Sequence, residues 1–221
     1  MEAVIRALAA SSLQKADQSG RPVLDIFLDE CTHRYGTRGK TLSGAPPSRP
    51  EIPSRYLFNA FCQLYLHHVR NFNSLWLLEN MPDDRLAEVG LTRADEGVDV
   101  VARDAFGRYS AICVLFKPGQ EAVTPVELLK FSGLCSRSGP WHTLVVFTNA
   151  EAKRRALERM GIVLIGPASL RKIQDCEWRA MADCTHIPEA ARVPSTDAQP
   201  LDPEELRKIW LQRYDPSAMT S

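Results

Sequence analysis

The chain has no surplus of either charge: across 221 residues, Lys plus Arg and Asp plus Glu both number 27. No global field draws it toward a polyanion, so contact with nucleic acid has to come from a local basic patch. It also lacks any apolar run of about 18 residues, the length that a membrane helix needs. Its opening, MEAVIRALAASSL, sets Glu2 where a signal peptide needs positive charge and breaks the apolar stretch with Arg6. The expectation is a soluble protein of cytosol, nucleus or virion, with no membrane partner. A Gly-rich phosphate loop, a GxSxG elbow and an HExxH helix are all missing. There is no internal repeat or heptad array.

What is present suffices for one main domain with extensions, and a chain of this length buries a core without disulfide or metal staples. The six cysteines, Cys31, Cys62, Cys113, Cys135, Cys176 and Cys184, are scattered, and at least two fall in segments that read as buried helix or strand. Reduced thiols are expected. Cys31 with His33 and Cys184 with His186 form two Cys-x-His pairs, but they lie about 150 residues apart and lack the tight spacing of a zinc site.

Residues 1–53 read as a helical extension followed by a basic loop. Val4, Ile5 and Leu8 mark one helix, and Val23, Ile26 and Phe27 mark a second after Pro22. From Gly36 to Pro53 the chain is rich in Gly, Pro and Ser and carries Arg38, Lys40 and Arg49 with no acid before Glu51. Residues 54–176 read as an α/β core. Ser54 can cap a helix whose Phe58, Cys62, Tyr65 and Val69 share one face. A short strand from Leu75 to Leu78 precedes a hairpin, Val98 to Ala102 and Tyr109 to Phe116, turned at Gly107.

Thr124, Pro125 and Glu127 form a strong helix start, since threonine caps, proline suits the first turn and the glutamate returns a bond to the cap. TLVVF reads as a buried strand, Asn149 as the opening of a helix with Ala152, Ala156 and Met160, and IVLI as a last strand before a helix from Pro167 to about Gln174. Residues 177–221 read as a linker and a C-terminal docking helix from Asp202, Pro203 and Glu205, whose Leu206, Ile209 and Trp210 need a surface to cover them. The order of elements predicts a mixed central sheet flanked by helices.

Within this order, DEGVDVVA, a turn, and YSAICVL stand where the Mrr-like branch of the PD-(D/E)xK restriction-endonuclease superfamily carries DxGIDLVA and YWAIQCK. From about Phe58 to Ile173 the chain resembles that family, in particular the nuclease domain that opens certain restriction and helicase polypeptides. The resemblance implies a restriction-endonuclease-like fold and a site in which an aspartate and an acid or glutamine hold magnesium or manganese while a lysine assists attack on a phosphodiester. Asp99 matches the aspartate, Cys113 falls on the glutamine and Leu115 on the lysine. Among nearby acids, Glu79 falls near an upstream glutamate of the family, and Asp95 and Glu96 could complete a metal site with Asp99.

A thiol is a poor ligand for a hard cation, and leucine supplies neither proton nor charge. The resemblance therefore implies a degenerate site, in a domain kept for binding DNA or a protein partner. Lys117 offers an alternative, because strand side chains repeat every two residues and it shares a face with Cys113 and Leu115, about 6 to 7 Å beyond the expected lysine. An active endonuclease would then use Asp99, Glu79 and Lys117 with magnesium or manganese; an inactive one needs no cofactor. A third reading is a structural subunit whose last helix joins a partner or a second copy. Two basic groups could meet phosphate: Arg38, Lys40 and Arg49 in the loop, and Lys153, Arg154 and Arg155. Neither shows the interleaved aromatics of a single-strand binder.

Overall fold

The computed structural model describes residues 2–35, 54–119 and 121–184. The basic loop with Arg38, Lys40 and Arg49, the residue His186 and the C-terminal docking helix with Trp210 lie outside the described residues. Two helices come first, α1 (Glu2–Ser19) and α2 (Val23–Tyr35), then α3 (Ser54–His68). The strands and remaining helices alternate as β1 (Ser74–Leu77), α4 (Asp83–Glu88), β2 (Val100–Arg103), β3 (Tyr109–Leu115), α5 (Pro125–Arg137), β4 (Thr143–Thr148), α6 (Arg154–Arg159), β5 (Ile162–Ile165), α7 (Pro167–Leu170) and α8 (Asp175–Asp183). The five strands form one sheet in sequence order; β1, β2 and β3 are antiparallel, and β4 and β5 run parallel to β3. This is the mixed, helix-flanked sheet that the order of elements predicts. Among the described residues no helix is long and apolar enough to cross a membrane.

Alternation along the strands divides the core in two. Val100, Ala102, Ile112, Val114, Val145 and Phe147 face the helices α1, α2, α3 and α8, while Val101, Ala111, Cys113 and Val146 face α5. The first core is held by aromatic rings: Phe58, Phe61 and Tyr65 of α3 meet Phe147 with centroids 5.2, 5.8 and 5.5 Å away. Trp178 of α8 stacks on Phe61 at 5.4 Å. Ring pairs of this kind add about 0.5–1.5 kcal/mol each to the burial of their area.

Thr124 caps α5 as expected: its hydroxyl accepts the Glu127 N–H, and the Glu127 carboxylate accepts the Thr124 N–H in return. Three readings of the sequence change. Asn149 does not open α6, which starts at Arg154; its amide is occupied by the backbone of Lys117 instead. The helix expected from Pro167 to Gln174 stops at Leu170, and Asp175 starts another under a capping box of Gln174 and Glu177. That helix, α8, carries residues 177–183, which the sequence reading placed at the start of the linker. Its Trp178 and Met181 are buried in the first core.

Candidate functional site

At the end of the sheet where β2 begins and β3 finishes, a cleft of about 340 Å³ opens beside Asp99. Its walls are Arg55, Tyr56 and Asn59 of α3, Leu77 to Glu79 at the end of β1, Arg93 and Asp95, the β3 stretch Val114 to Lys117, and Glu127 of α5. Gly97 makes this placement possible. Its φ of 120° suits glycine alone, and the Phe131 Cα of α5 stands 3.4 Å from where a Cβ would lie. The chain thus turns close under α5 and enters β2 with Asp99 at its head.

Backbone bonds fix Asp99 on both sides: its N–H donates to the Ile112 carbonyl at 2.9 Å, and its carbonyl accepts the Leu78 N–H at 3.0 Å. One carboxylate oxygen accepts the Val114 N–H at 2.7 Å. The Cys113 side chain is a close neighbour of the same carboxylate. Burial pushes the Asp99 carboxyl above its ordinary range, and this outweighs the opposing pull of the Val114 N–H, the Arg55 guanidinium and the Cys113 thiol. Burial, reinforced by the Asp99 and Glu127 charges, raises the Cys113 thiol well above its ordinary value, which disfavours the thiolate.

Lys117 lies in the same cleft as Asp99, with its ammonium 2.6 Å from Glu127 Oε1. Asn149 locks its backbone, accepting the Lys117 N–H at 2.7 Å and donating to the Lys117 carbonyl at 2.8 Å. The other Glu127 oxygen accepts the Thr124 N–H at 2.9 Å and hydroxyl at 2.8 Å. Burial pushes the Glu127 carboxyl up, but the bonds from Lys117 and Thr124 prevail and hold it below its ordinary value. Opposite, Arg93 pins the turn after β1, donating to the carbonyls of Glu79 and Met81 and pairing with Asp83.

The structure therefore brings Asp99, Glu79, Leu115 and Lys117 to one cleft, and leaves Cys113 buried outside its lining. It does not bring Glu96 there. Glu96 precedes the turn at Gly97, is exposed, and faces Lys130 of α5 at 3.6 Å. Asp95 reaches the cleft edge but is taken up by the Thr92 N–H and hydroxyl and by Arg137. Lys153, Arg154 and Arg155 are exposed where the chain leaves β4, the strand end that Asn149 ties to Lys117, so they emerge at the same end of the sheet as the cleft. Arg55, Asn59 and Arg93 escaped the sequence reading, and Glu127 was read only as a cap. The signal available was the polar pair Arg55 and Asn59, one turn apart on a helix with a largely apolar face.

Magnesium and manganese take oxygen donors in a near-octahedral shell. Here Asp99 already uses one oxygen on a backbone N–H, its neighbour is a protonated thiol, and Glu96 points away. Among the described residues no three His, Cys, Asp or Glu side chains gather closely enough to hold a metal ion. The residues present do not fit such an ion.

No family model matches the chain, and no curated protein does. Among solved structures the chain is similar to the ATP-dependent Type ISP restriction-modification enzyme LlaBIII bound to DNA, with a TM-score of 0.43 and 21% identity over 53% of this chain. The chain spans 8% of the length of that protein.

Proposed function

We propose that this chain is a restriction-endonuclease-like domain that binds DNA and has lost efficient cleavage. The observation that carries the reading is the surroundings of Asp99: the backbone N–H of Val114 takes one oxygen of the carboxylate that the resemblance assigns to a metal, a thiol stands where the second acceptor is expected, and Leu115 stands in the position of the assisting lysine. The exposed side chains of Lys153, Arg154 and Arg155 at the cleft end of the sheet support DNA as the partner. Duplex DNA gives up counterions to such a patch, so binding would weaken steeply with salt. The pairing of Arg154 with Glu158 at 3.0 Å offers little resistance, because exposed ion pairs contribute roughly 0–1 kcal/mol.

One observation favours a second reading, an active endonuclease: the Lys117 ammonium shares its cleft with Asp99. Supercoiled plasmid incubated with the purified chain and magnesium or manganese, beside Asp99→Ala, separates the two. The expected result is no nicked or linear product from either protein and a salt-dependent shift of DNA by both. Cutting that vanishes in Asp99→Ala would establish the second reading. Loss of the shift in a Lys153→Ala, Arg154→Ala, Arg155→Ala triple variant would place the contact at α6, whereas an unchanged shift would remove that patch.

A further inference from the structure

The outward face of α5 lacks the charge that a solvent-facing helix surface normally carries. Pro125, Val126, Leu129, Gly133 and Ser136 make it up, and Ser136 turns its hydroxyl back onto the Gly133 carbonyl at 2.9 Å. Val126 is 63% exposed and Leu129 58%, more than any other large hydrophobic side chain among the described residues. Gly133 leaves a notch beside them. Its backbone is ordinary helix, and a Cβ built on it would meet nothing within 4 Å, so neither a turn nor packing inside the chain calls for glycine there. Glycine within a helix is less stable than alanine, and a single copy of the fold gains nothing in return.

Leu129 and Gly133 are four residues apart, which sets a knob and a notch on one face about 6 Å apart along the helix axis. A second α5 running antiparallel, related by a two-fold axis that passes between them, would seat each Leu129 over the Gly133 of the other copy. One helix thus carries both halves of the contact. Its flank suits the same arrangement. Lys130 lies 3.6 Å from Glu96 and Arg137 3.1 Å from Asp95, so cations and acids balance and two like flanks do not repel.

We infer that α5 is the contact for a second copy of this chain, packed antiparallel, with Leu129 of each copy in the notch at Gly133 of the other. A face one short helix long is smaller than the roughly 800 Å² per partner of a standard interface, so the dimer is weak and reversible. Sedimentation velocity of the full chain over a range of concentrations tests it, with Leu129→Gln removing the knob and Gly133→Gln filling the notch. The wild type should pass from monomer to dimer with a Kd on the order of 10–100 µM. Each variant should weaken that association about tenfold or more, the worth of burying one leucine side chain.

Glutamine is a better helix former than glycine and finds open space at this position, so Gly133→Gln should melt about 1–2 °C above the wild type in dilute solution while dimerising less. A firmer fold with weaker association separates a lost contact from a damaged chain. A wild type that stays monomeric throughout overturns the inference, and so does dimerisation that either variant leaves unchanged. If the wild type is monomeric and Leu129→Gln instead loses affinity for duplex DNA, the face belongs to nucleic acid and not to a second copy.

Discussion

The two ends of the β2–β3 hairpin each carry an aspartate, and they are held in opposite ways. At the turn, Asp104 accepts the N–H groups of Phe106 and Arg108 at 2.9 Å each and the Arg108 guanidinium at 2.8 Å, and Arg103 closes onto the Gly107 carbonyl at 3.1 Å. Every partner lies within a few residues. At the cleft, Asp99 is met by Val114, Lys117 by Glu127 and Asn149, and Thr148 by the Leu115 carbonyl, partners between 10 and 33 residues away along the chain. The turn is built from its own sequence, whereas the cleft is assembled by the sheet. Polar groups at the first end serve the turn alone; those at the second are drawn together beside a cleft, where they also hold one another.

Asn149→Ala attacks the cleft end directly, leaving the half-buried Lys117 N–H and carbonyl without their partner. A loss of about 2–3 kcal/mol is expected, lowering the melting temperature by about 4–12 °C for a chain of this size. Amide exchange at Lys117 should accelerate with it, and a melt unchanged from the wild type would show that the clamp is idle. At the turn, Asp104→Ala should cost about 1–2 kcal/mol because two backbone N–H groups lose their acceptor. Arg108→Ala should cost less than about 1 kcal/mol, the worth of a partly exposed ion pair. Equal losses in chemical denaturation would mean that the guanidinium, and not the backbone, holds the turn.

Asp99→Asn should have the smallest effect and the opposite sign. The native carboxyl is raised, so between its ordinary and its native value the folded state holds more protons than the unfolded one, and stability falls as pH rises through that window. Asparagine keeps an acceptor for the Val114 N–H and carries no charge to bury. The variant should therefore melt higher than the wild type at neutral pH, by about 2–4 °C for each kcal/mol relieved, and the difference should disappear in acid. A gain that is equal at all pH values would assign it to packing instead of to charge.

How much the sequence disclosed follows the same division. Thr124, Pro125 and Glu127 announced α5 because a cap is local chemistry, and TLVVF and IVLI announced β4 and β5 because their apolar runs need no partner to be read. Asp99 and Lys117 could be placed on neighbouring strand ends from the hairpin alone. Their actual partners could not: nothing in the text near Lys117 points to Asn149 or to the second oxygen of a capping glutamate. Asn149 was misread for the same reason, since a residue that favours helix starts was already engaged across the sheet. Glu96 was misplaced because, ahead of the turn at Gly97, it is exposed and faces Lys130 of α5 instead of lining the cleft. The helix α8 was passed over because its apolar residues, Trp178 and Met181, are few, and their value lies in the aromatic cluster that receives them.

The packing of α1 against α8 sets an order on how the chain is made. Helix α1 leaves a ribosome well before one of its neighbours, the last helix described, and at about 5–20 residues per second the interval between them is roughly 8–30 s. For that time the side of α1 that meets α8 has no native cover, and Phe61 waits for the ring of Trp178. Helices α2 and α3 arrive earlier and can shelter the rest of α1. A nascent chain halted before residue 175 should accordingly present an apolar strip to the chaperones that meet it, and release from them should coincide with the emergence of α8.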